Sequence, residues 1–490
     1  MKIKLRKPAA FILFVGVFAL ISSAVWPNIY FLTLAALAIW LTGVMYSVFK
    51  VSKRFSLLSF NTGFFIFILG GYSIDLFTNF NTDYLRNSNV LVTDEAINHL
   101  GICMVICMLI VNFTYMLLDT IRPVASEEKY EAPDILPNNT MRLVLMLLII
   151  IGFTCKLLLS IEDFAIVRAT SFRIHASTLS HYPYYVTALS SLFLVSTFAF
   201  WGLMPGKRET IFTFILLGIP EIFQLLSGER GEPISVVLTI LFYVMHRNRL
   251  GNYDFTIKKS AVIVSLIVLP FVIYSLQFIA YARNHMTYDK SLGVGITEFF
   301  ATQGGSVKII SNAFVMRDRI DAAAGHDFFL GEIREYLKSN IFARYLAGTS
   351  VRTRTVEDAL NGDNFLRCYG YLYSPGTYKA GVGGGSTYIA EVYHDGGYVF
   401  LVLFNIFIAF VIRSIDNTKI GNIIHFTISM GIFKYIATLP REQALQWFTG
   451  TFALQNLLFY FFLYVFYVRP NMRISENRDT HNKIRIGKQR

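Results

Sequence analysis

Residues 97–118 read INHLGICMVICMLIVNFTYMLL, an apolar run that contains no Asp, Glu, Lys or Arg. An α-helix needs about 20 such residues to cross the hydrocarbon core of a bilayer. Similar runs recur along the chain, which is 54% hydrophobic and 16% charged, whereas soluble domains carry about 25% charged residues. Because the runs are continuous rather than alternating, they favour helices over a β-barrel. The sequence therefore predicts an all-α polytopic membrane protein and excludes a cytosolic enzyme, a disulfide scaffold and a disordered chain.

The apolar runs define the expected topology of the 490 residues. We predict about twelve transmembrane helices, at 9–26, 28–48, 55–79, 97–118, 141–161, 184–204, 210–227, 233–246, 260–282, 396–413, 420–439 and 443–468. The seventh contains Pro220 and the eighth is short, so these two could form a broken or re-entrant pair. The chain is accordingly divided into nine helices within 1–282, a large extracytoplasmic loop at 283–395, three helices within 396–468 and a basic cytoplasmic tail at 469–490.

The large loop 283–395 is predicted to be a structured, helical cap on the outer face. Its residues 296–314, 328–346 and 352–360 have the spacing of amphipathic helices. Long ordered loops tend to carry function. We therefore expect this segment to contribute part of the active site.

The net charge of +12 comes mainly from Lys and Arg in alternate short loops and in the tail at 469–490. Cytoplasmic loops of membrane proteins collect these residues. Both termini are therefore predicted to be cytoplasmic. The basic balance reflects topology, and no nucleic-acid partner is expected.

Three arginines, Arg230, Arg283 and Arg441, lie at predicted outer helix ends, against the usual bias of positive charge to the cytoplasm. A guanidinium group grips phosphate oxygens in pairs and stays charged at any relevant pH. Together these arginines could surround a pyrophosphate group at the outer membrane edge. The alternative is that they pair with lipid headgroups or with the neighbouring acids Glu229, Glu232 and Glu442. Glu221, which follows Pro220, fits a structural network or a substrate cavity equally well.

The stretch 379–397 reads KAGVGGGSTYIAEVYHDGG and contains groups that bind anions or move protons. Ser386 and Thr387 could cap a helix whose first backbone N–H groups bind an anion, or the glycines could form a plain flexible turn. Glu391 and His394 are three residues apart on one helix face. One could accept a proton from a hydroxyl while the other orients it, and a simple surface pair is the alternative.

Four tyrosines precede this stretch, and aromatic rings with hydroxyl groups suit sugars. A tyrosine belt at the membrane interface is the alternative. The candidate substrate-binding residues are Glu221, Glu229, Glu232, Glu442, Lys379, Ser386, Tyr369, Tyr371, Tyr373 and Tyr378.

Several familiar motifs are absent from the sequence. There is no Walker P-loop, no Asp-X-Asp signature, no His-Glu-X-X-His and no Gly-X-Ser-X-Gly. ATP-driven transport by this chain is therefore not expected. Neither a metal ion nor another cofactor is expected.

The sequence resembles the Wzy family of oligosaccharide repeat-unit polymerases. Residues 383–393, followed by Gly396-Gly397-Tyr398, are similar to that family's Gly-rich, Ser, Ile-Ala-Glu, Tyr, Gly pattern at the end of the large outer loop. Residues 227–231 are similar to its Ser-Gly-X-Arg-Gly turn. The plan of about a dozen spans with one large late loop agrees along nearly the whole chain, and His394-Asp395 departs from the pattern.

The resemblance implies a GT-C-like fold in the plasma membrane of a bacterium. It implies that undecaprenyl-diphosphate-linked oligosaccharides are both donor and acceptor, and that they are polymerised into O-antigen or capsular polysaccharide at the outer face. The three arginines would stabilise the diphosphate without a metal, and Glu391 or His394 would take the acceptor proton. An O-antigen ligase-type glycosyltransferase, a lipid-linked sugar transporter or flippase, and a scaffold protein are the alternatives. The participation of a chain-length regulator is left open.

Overall fold

The computed structural model describes residues 7–79, 81–122, 139–170, 181–249, 254–255, 259–282, 286–324, 327–340, 355–380, 385–418 and 422–470. These residues form helices, turns and bends but no strand. The first ten helices are α1 (Lys7–Val25), α2 (Ile29–Val48), α3 (Phe55–Asn79), α4 (Asp83–Arg86), α5 (Asp94–Ile121), α6 (Asn139–Ala169), α7 (Tyr184–Gly202), α8 (Lys207–Leu226), α9 (Gly231–Arg249) and α10 (Lys259–Ala282). They are followed by α11 (Leu292–Gln303), α12 (Ser306–Val315), α13 (Arg317–Ala324), α14 (Gly331–Ser339), α15 (Val356–Asn361), α16 (Phe365–Tyr373), α17 (Pro375–Lys379), α18 (Tyr388–Asp416), α19 (Ile423–Ile436), α20 (Gln446–Thr451) and α21 (Leu454–Val468).

Nine helices of the described chain are long and apolar enough to cross a membrane, namely α1, α2, α3, α5, α6, α7, α8, α10 and α18. The helices α19 and α21 are apolar but shorter. Eleven of the predicted spans each lie mainly on one helix, and the twelfth, 443–468, is divided at 452–453 into α20 and α21. The all-α polytopic membrane fold is thereby confirmed. The division of the chain near residues 282, 395 and 468 stays a prediction, and residues 471–490 of the tail lie outside the described residues.

The helix α5 is the centre of the bundle, because α1, α2, α12 and α18 pack around it. Asn61 and Asn112 exchange two amide hydrogen bonds of 3.0 and 3.1 Å between α3 and α5. Near the end of α5, Asp119 lies 2.8 Å from Arg54 and 3.2 Å from Arg413. Buried polar groups without partners are costly, so these pairs specify how α3, α5 and α18 meet.

The helices α11 to α17, which we call the cap, pack at the end of the bundle where α5 begins. Lys308 donates a 3.1 Å hydrogen bond to the backbone oxygen of Asn87, which precedes α5. The ring of Phe314 stacks on His99 of α5 with centroids 4.4 Å apart. The cap is therefore partly embedded between the helices rather than simply laid over them.

The cap has more and shorter helices than the sequence predicts. The expected helix at 296–314 is divided at Gly304 into α11 and α12. The helix expected at 328–346 ends at Ser339, and residues 341–354 lie outside the described residues. The helices α16 and α17 follow as two further elements of the cap.

The helices α8 and α9 are each continuous. Pro220 lies inside α8, whose helix runs on for 20 residues in total. The helix α9 has 19 residues, which corresponds to about 28 Å. The interruption predicted for this pair is thus a short turn at 227–230 between two full helices.

The helix α18 contains a reversal of chain direction at Gly397, where φ is 62° and ψ is −158°. Tyr388, at the start of α18, donates a 2.8 Å hydrogen bond to Asn405, which is 17 residues later. In an unbroken helix these two residues would be about 25 Å apart. The two halves of α18 therefore run antiparallel, and residues 388–396 form a re-entrant helix.

The re-entrant helix begins deep in the bundle and runs towards the cap. Asn405, the partner of its first residue, donates to the sulfur of Cys107 in α5 at 3.5 Å. Tyr398, next to the reversal, lies 2.8 Å from the ring nitrogen of His99. Cys107 is about 12 Å further along α5 than His99. The start of the re-entrant helix is thus about 12 Å below the reversal.

Replacement of Gly397 by alanine is expected to weaken the fold. An L side chain is strained at this φ and ψ, by about 1–3 kcal/mol. We expect a lower melting temperature of the purified protein and less of it in membranes. Gly376→Ala is the matched control, because no atom lies within 4 Å of a Cβ added there. Equal melting temperatures for the two variants would contradict the role assigned to Gly397.

Candidate active site

The re-entrant helix holds Glu391 one turn after its start. Thr387 caps this helix as the sequence predicts, since its hydroxyl accepts from the backbone N–H of Ile389 at 3.3 Å. The Glu391 side chain is fully buried, and its Oε2 accepts from the backbone N–H of Ala444 at 3.2 Å. Its Oε1 has no hydrogen-bond partner among the described residues. A buried carboxylate oxygen left in this way is costly, so Glu391 is a candidate for contact with a substrate.

Ala444 belongs to a turn at 437–445 between α19 and α20. The helix α19 has 14 residues and is about 21 Å long, less than the roughly 30 Å of a bilayer core. The turn therefore lies inside the depth of the bundle. The guanidinium group of Arg441, in the same turn, lies 5.1 Å from the ring of Phe67, in the middle of α3. The turn at 437–445 thus carries Arg441 and, through Ala444, also contacts Glu391.

Arg230 and Arg441 both contact the corner formed by α10 and α11. Arg441 donates to Oε1 of Gln303 at 3.0 Å. Arg230 donates to the backbone oxygen of Leu276 at 3.3 Å. Next to these two acceptors, Gln277 of α10 donates a 3.4 Å side-chain hydrogen bond to Thr302 of α11. The structure thereby brings two of the three predicted arginines together, whereas Arg283 lies outside the described residues.

The acids near the Arg230 turn form a network with lysines. Glu232 lies 2.9 Å from the ammonium group of Lys434. Glu221, buried in α8, is within electrostatic range of Lys434, Lys156 and Glu229. The opposite charges compensate each other within the bundle. Glu232, one of the acids that the sequence offered as an arginine partner, is therefore engaged with a lysine.

A second polar cluster lies between the cap and the turn at 437–445, and the sequence analysis did not find it. Asn364 is at its centre and donates to Glu335 at 3.0 Å, to Gln443 at 3.4 Å and to Glu332 at 3.5 Å. Arg367 lies 3.1 Å from Glu335. The spacing of Glu332 and Glu335 would have placed them on one face of a helix. No local signal predicts that this face approaches Gln443.

The carboxyl groups of this cluster have raised pKa values. Burial and the neighbouring Glu335 raise the pKa of Glu332 to about 7. Burial also raises the pKa of Glu335, against the effect of Arg367. It raises the pKa of Glu442 as well, and Glu332 is within electrostatic range of both Glu442 and Glu391. Several acids therefore share one space beside the turn at 437–445, where burial favours their neutral forms.

His394 has different neighbours from Glu391. Its Nδ1 lies 3.1 Å from Asp395, and its Nε2 lies 3.1 Å from Asp321 without the alignment of a hydrogen bond. Its ring packs edge-on against Phe328 at 5.2 Å. A small pocket beside it is lined by residues that include His99, Arg317 and Tyr393. Of the two proton-accepting candidates, Glu391 is therefore the one in contact with the turn that carries the arginine.

The tyrosines of the cap mostly pack against one another. Tyr369 is buried, with the rings of Phe365 and Tyr373 stacked at 5.9 and 5.4 Å. Tyr371 and Tyr378 meet edge to face at 5.8 Å. Stacking of a sugar on Tyr369, as the sequence suggested, would require these neighbours to move.

The remaining predicted residues flank the re-entrant helix. Lys379 is exposed at the end of α17. Ser386 is buried, and its hydroxyl has no hydrogen-bond partner among the described residues. Residues 381–384 of the glycine run lie outside the described residues.

Apolar helices long enough to cross a membrane, together with the buried Glu391 beside the turn that carries the exposed Arg441, define a multi-pass membrane protein with a charged candidate site. The family model of the O-antigen polysaccharide polymerase Wzy matches residues 9–473, nearly the whole chain. The chain therefore belongs to this family, as the resemblance predicted, and its members are glycosyl-transferring enzymes that act on lipid-linked oligosaccharides. No curated protein and no solved structure matched the chain. The GT-C-like architecture stays a prediction.

Proposed function

We propose that the protein joins undecaprenyl-diphosphate-linked oligosaccharide repeat units into O-antigen or capsular polysaccharide without a metal ion. The reaction takes place at the outer face of the bacterial plasma membrane, and both termini are cytoplasmic. The Lys and Arg bias of the loops supports this orientation. The observation that carries the proposal is that Glu391 contacts Ala444 in the turn that also carries Arg441, in a chain of the Wzy family.

The reaction needs a stabilised leaving group and an acceptor for one proton. The bond between C1 of the donor sugar and the diphosphate oxygen breaks, and the electron pair passes to the diphosphate. Arg230 and Arg441 stabilise that charge, and Arg283 is the third candidate. The hydroxyl of the acceptor sugar forms the new bond to C1 and gives its proton to Glu391, with His394 as the second candidate. A carboxylate with an unbonded oxygen in a buried site is suited to this step.

Replacement of Arg230 by alanine is expected to stop chain growth. Loss of one preorganised donor to a developing oxyanion slows a reaction about 100- to 1,000-fold. In a deletion strain, the wild-type chain should give a ladder of surface glycan on a gel, and Arg230→Ala should give single-repeat bands. Arg208→Ala is the matched control, because this arginine is exposed at the far end of α8.

The other outcomes of this experiment separate the alternatives. Loss of all surface glycan in the deletion strain would favour a ligase or a flippase. A normal ladder from Arg230→Ala, with protein present in the membrane, would favour a transporter or a scaffold.

A further inference from the structure

Two buried polar groups of opposite hydrogen-bonding character occur where the re-entrant helix contacts the turn at 437–445. Glu391 Oε1 is an acceptor and Gln443 Nε2 is a donor, and neither has a partner among the described residues. The residues are 0% and 4% exposed. The two residues meet at this turn, because the backbone N–H of Ala444, the residue after Gln443, donates to the other oxygen of Glu391 at 3.2 Å. Leaving both groups unbonded would be costly, which indicates that a ligand completes them.

The orientation of the Gln443 amide follows from its surroundings. Asn364 Oδ1 accepts from the backbone N–H of Arg367 at 3.1 Å, so the Nδ2 of Asn364 is the group that faces Gln443. That Nδ2 donates to Gln443 Oε1 at 3.4 Å. A flipped Gln443 would set two N–H groups against each other. Gln443 Nε2 is therefore the group available to a ligand.

The ligand has to donate to a carboxylate oxygen and accept from an amide N–H. A hydroxyl group does both with a single oxygen. A phosphate oxygen only accepts, so it could not donate to the acceptor Glu391 Oε1. We infer that Glu391 and Gln443 together bind the hydroxyl of the acceptor sugar that is glycosylated, a subsite separate from the arginines that hold the donor diphosphate.

The turn at 437–445 divides the two substrates. Arg441 contacts Gln303 of α11 in the cap. Gln443, two residues later in the turn, contacts Asn364, which precedes α16 and lies beside Glu332 and Glu335. The acceptor hydroxyl donates to Glu391 Oε1, so its proton passes to that oxygen while the bond to C1 forms and the bond to the diphosphate breaks. Gln443 orients the hydroxyl through its N–H donor. This inference rests on the proposed glycosyl transfer.

The replacement Gln443→Met tests the subsite, because methionine has a similar volume and no donor. The assay uses the purified full chain in lipid nanodiscs and the lipid-linked repeat unit extracted from the deletion strain. Loss of one neutral hydrogen bond should raise KM about 3- to 10-fold. Binding of undecaprenyl diphosphate alone should be unchanged, because it has no acceptor hydroxyl. Gln455→Met, a half-buried glutamine of α21, is the matched control.

A second variant guards against misfolding of the first. Gln443→Asn keeps an amide but withdraws it by about 1.5 Å, and it should also raise KM while the melting temperature stays unchanged. An unchanged KM in both variants would overturn the inference, since the two groups would then hold only water. Weaker binding of undecaprenyl diphosphate would overturn it too, because the two subsites would not be separate. Failure of the wild-type chain to polymerise would refute the proposed function instead.

Discussion

Replacement of Glu391 by glutamine is expected to abolish the glycan ladder and to leave the protein folded. Glutamine fills the same volume and can keep the contact with the backbone N–H of Ala444, but it cannot accept the proton of the acceptor hydroxyl. Loss of a general base lowers kcat about 100- to 10,000-fold. The melting temperature should stay the same or rise, because a buried carboxyl group is replaced by a neutral amide. Turnover in nanodiscs and the melting temperature are the two measurements.

Two further variants sharpen this prediction. Glu357→Gln is the matched control, since this glutamate is exposed on α15 and should polymerise normally. His394→Gln tests the second candidate for the general base. A full ladder from Glu391→Gln together with single-repeat bands from His394→Gln would transfer the role of base to His394.

Replacement of Arg441 by alanine is expected to reduce polymerisation about 100- to 1,000-fold, because one donor to the leaving diphosphate is lost. The side chain is exposed and contacts Gln303 and the ring of Phe67, so the fold should lose little. Binding of undecaprenyl diphosphate to the purified protein should weaken as well. Arg441→Lys keeps the charge but not the planar fork, and should give an intermediate rate.

The control for this experiment is Arg319→Ala, an exposed arginine of α13 in the cap. It should leave both the rate and the binding of undecaprenyl diphosphate unchanged. Normal turnover by Arg441→Ala would exclude Arg441 from the site. Weak binding in both variants would point to a general effect of positive charge rather than to a specific contact.

The helices were predictable because their signals are local. Most of the predicted spans are runs of apolar side chains of nearly bilayer length, and each of these lies mainly on one helix, whereas the twelfth is divided into α20 and α21. The helix N-cap at Thr387 was predictable from its hydroxyl group and from the glycines before it. The match to the Wzy family over residues 9–473 agrees with the short motifs read at 227–231 and 383–393.

The re-entrant element was predicted in the wrong place. Pro220 and the polar turn after it suggested a broken pair at 210–246, yet α8 and α9 are full helices. The re-entrant helix is instead at 388–396, where the apolar run continues across Gly397 into the following span. A hydropathy pattern does not register a reversal that depends on the φ and ψ of one glycine.

The sequence by itself determined where the long apolar helices lie, which family the chain belongs to and which residue types are suited to the chemistry, because these depend on local pattern and composition. Only the tertiary structure decided which side chains meet. Asn364 approaches Gln443, and Glu391 approaches Ala444, across large separations in the chain. Such contacts depend on how every helix between them packs, and on a chain reversal that buries Glu391 at the depth of the arginine turn. A site of this kind is therefore a property of the folded bundle.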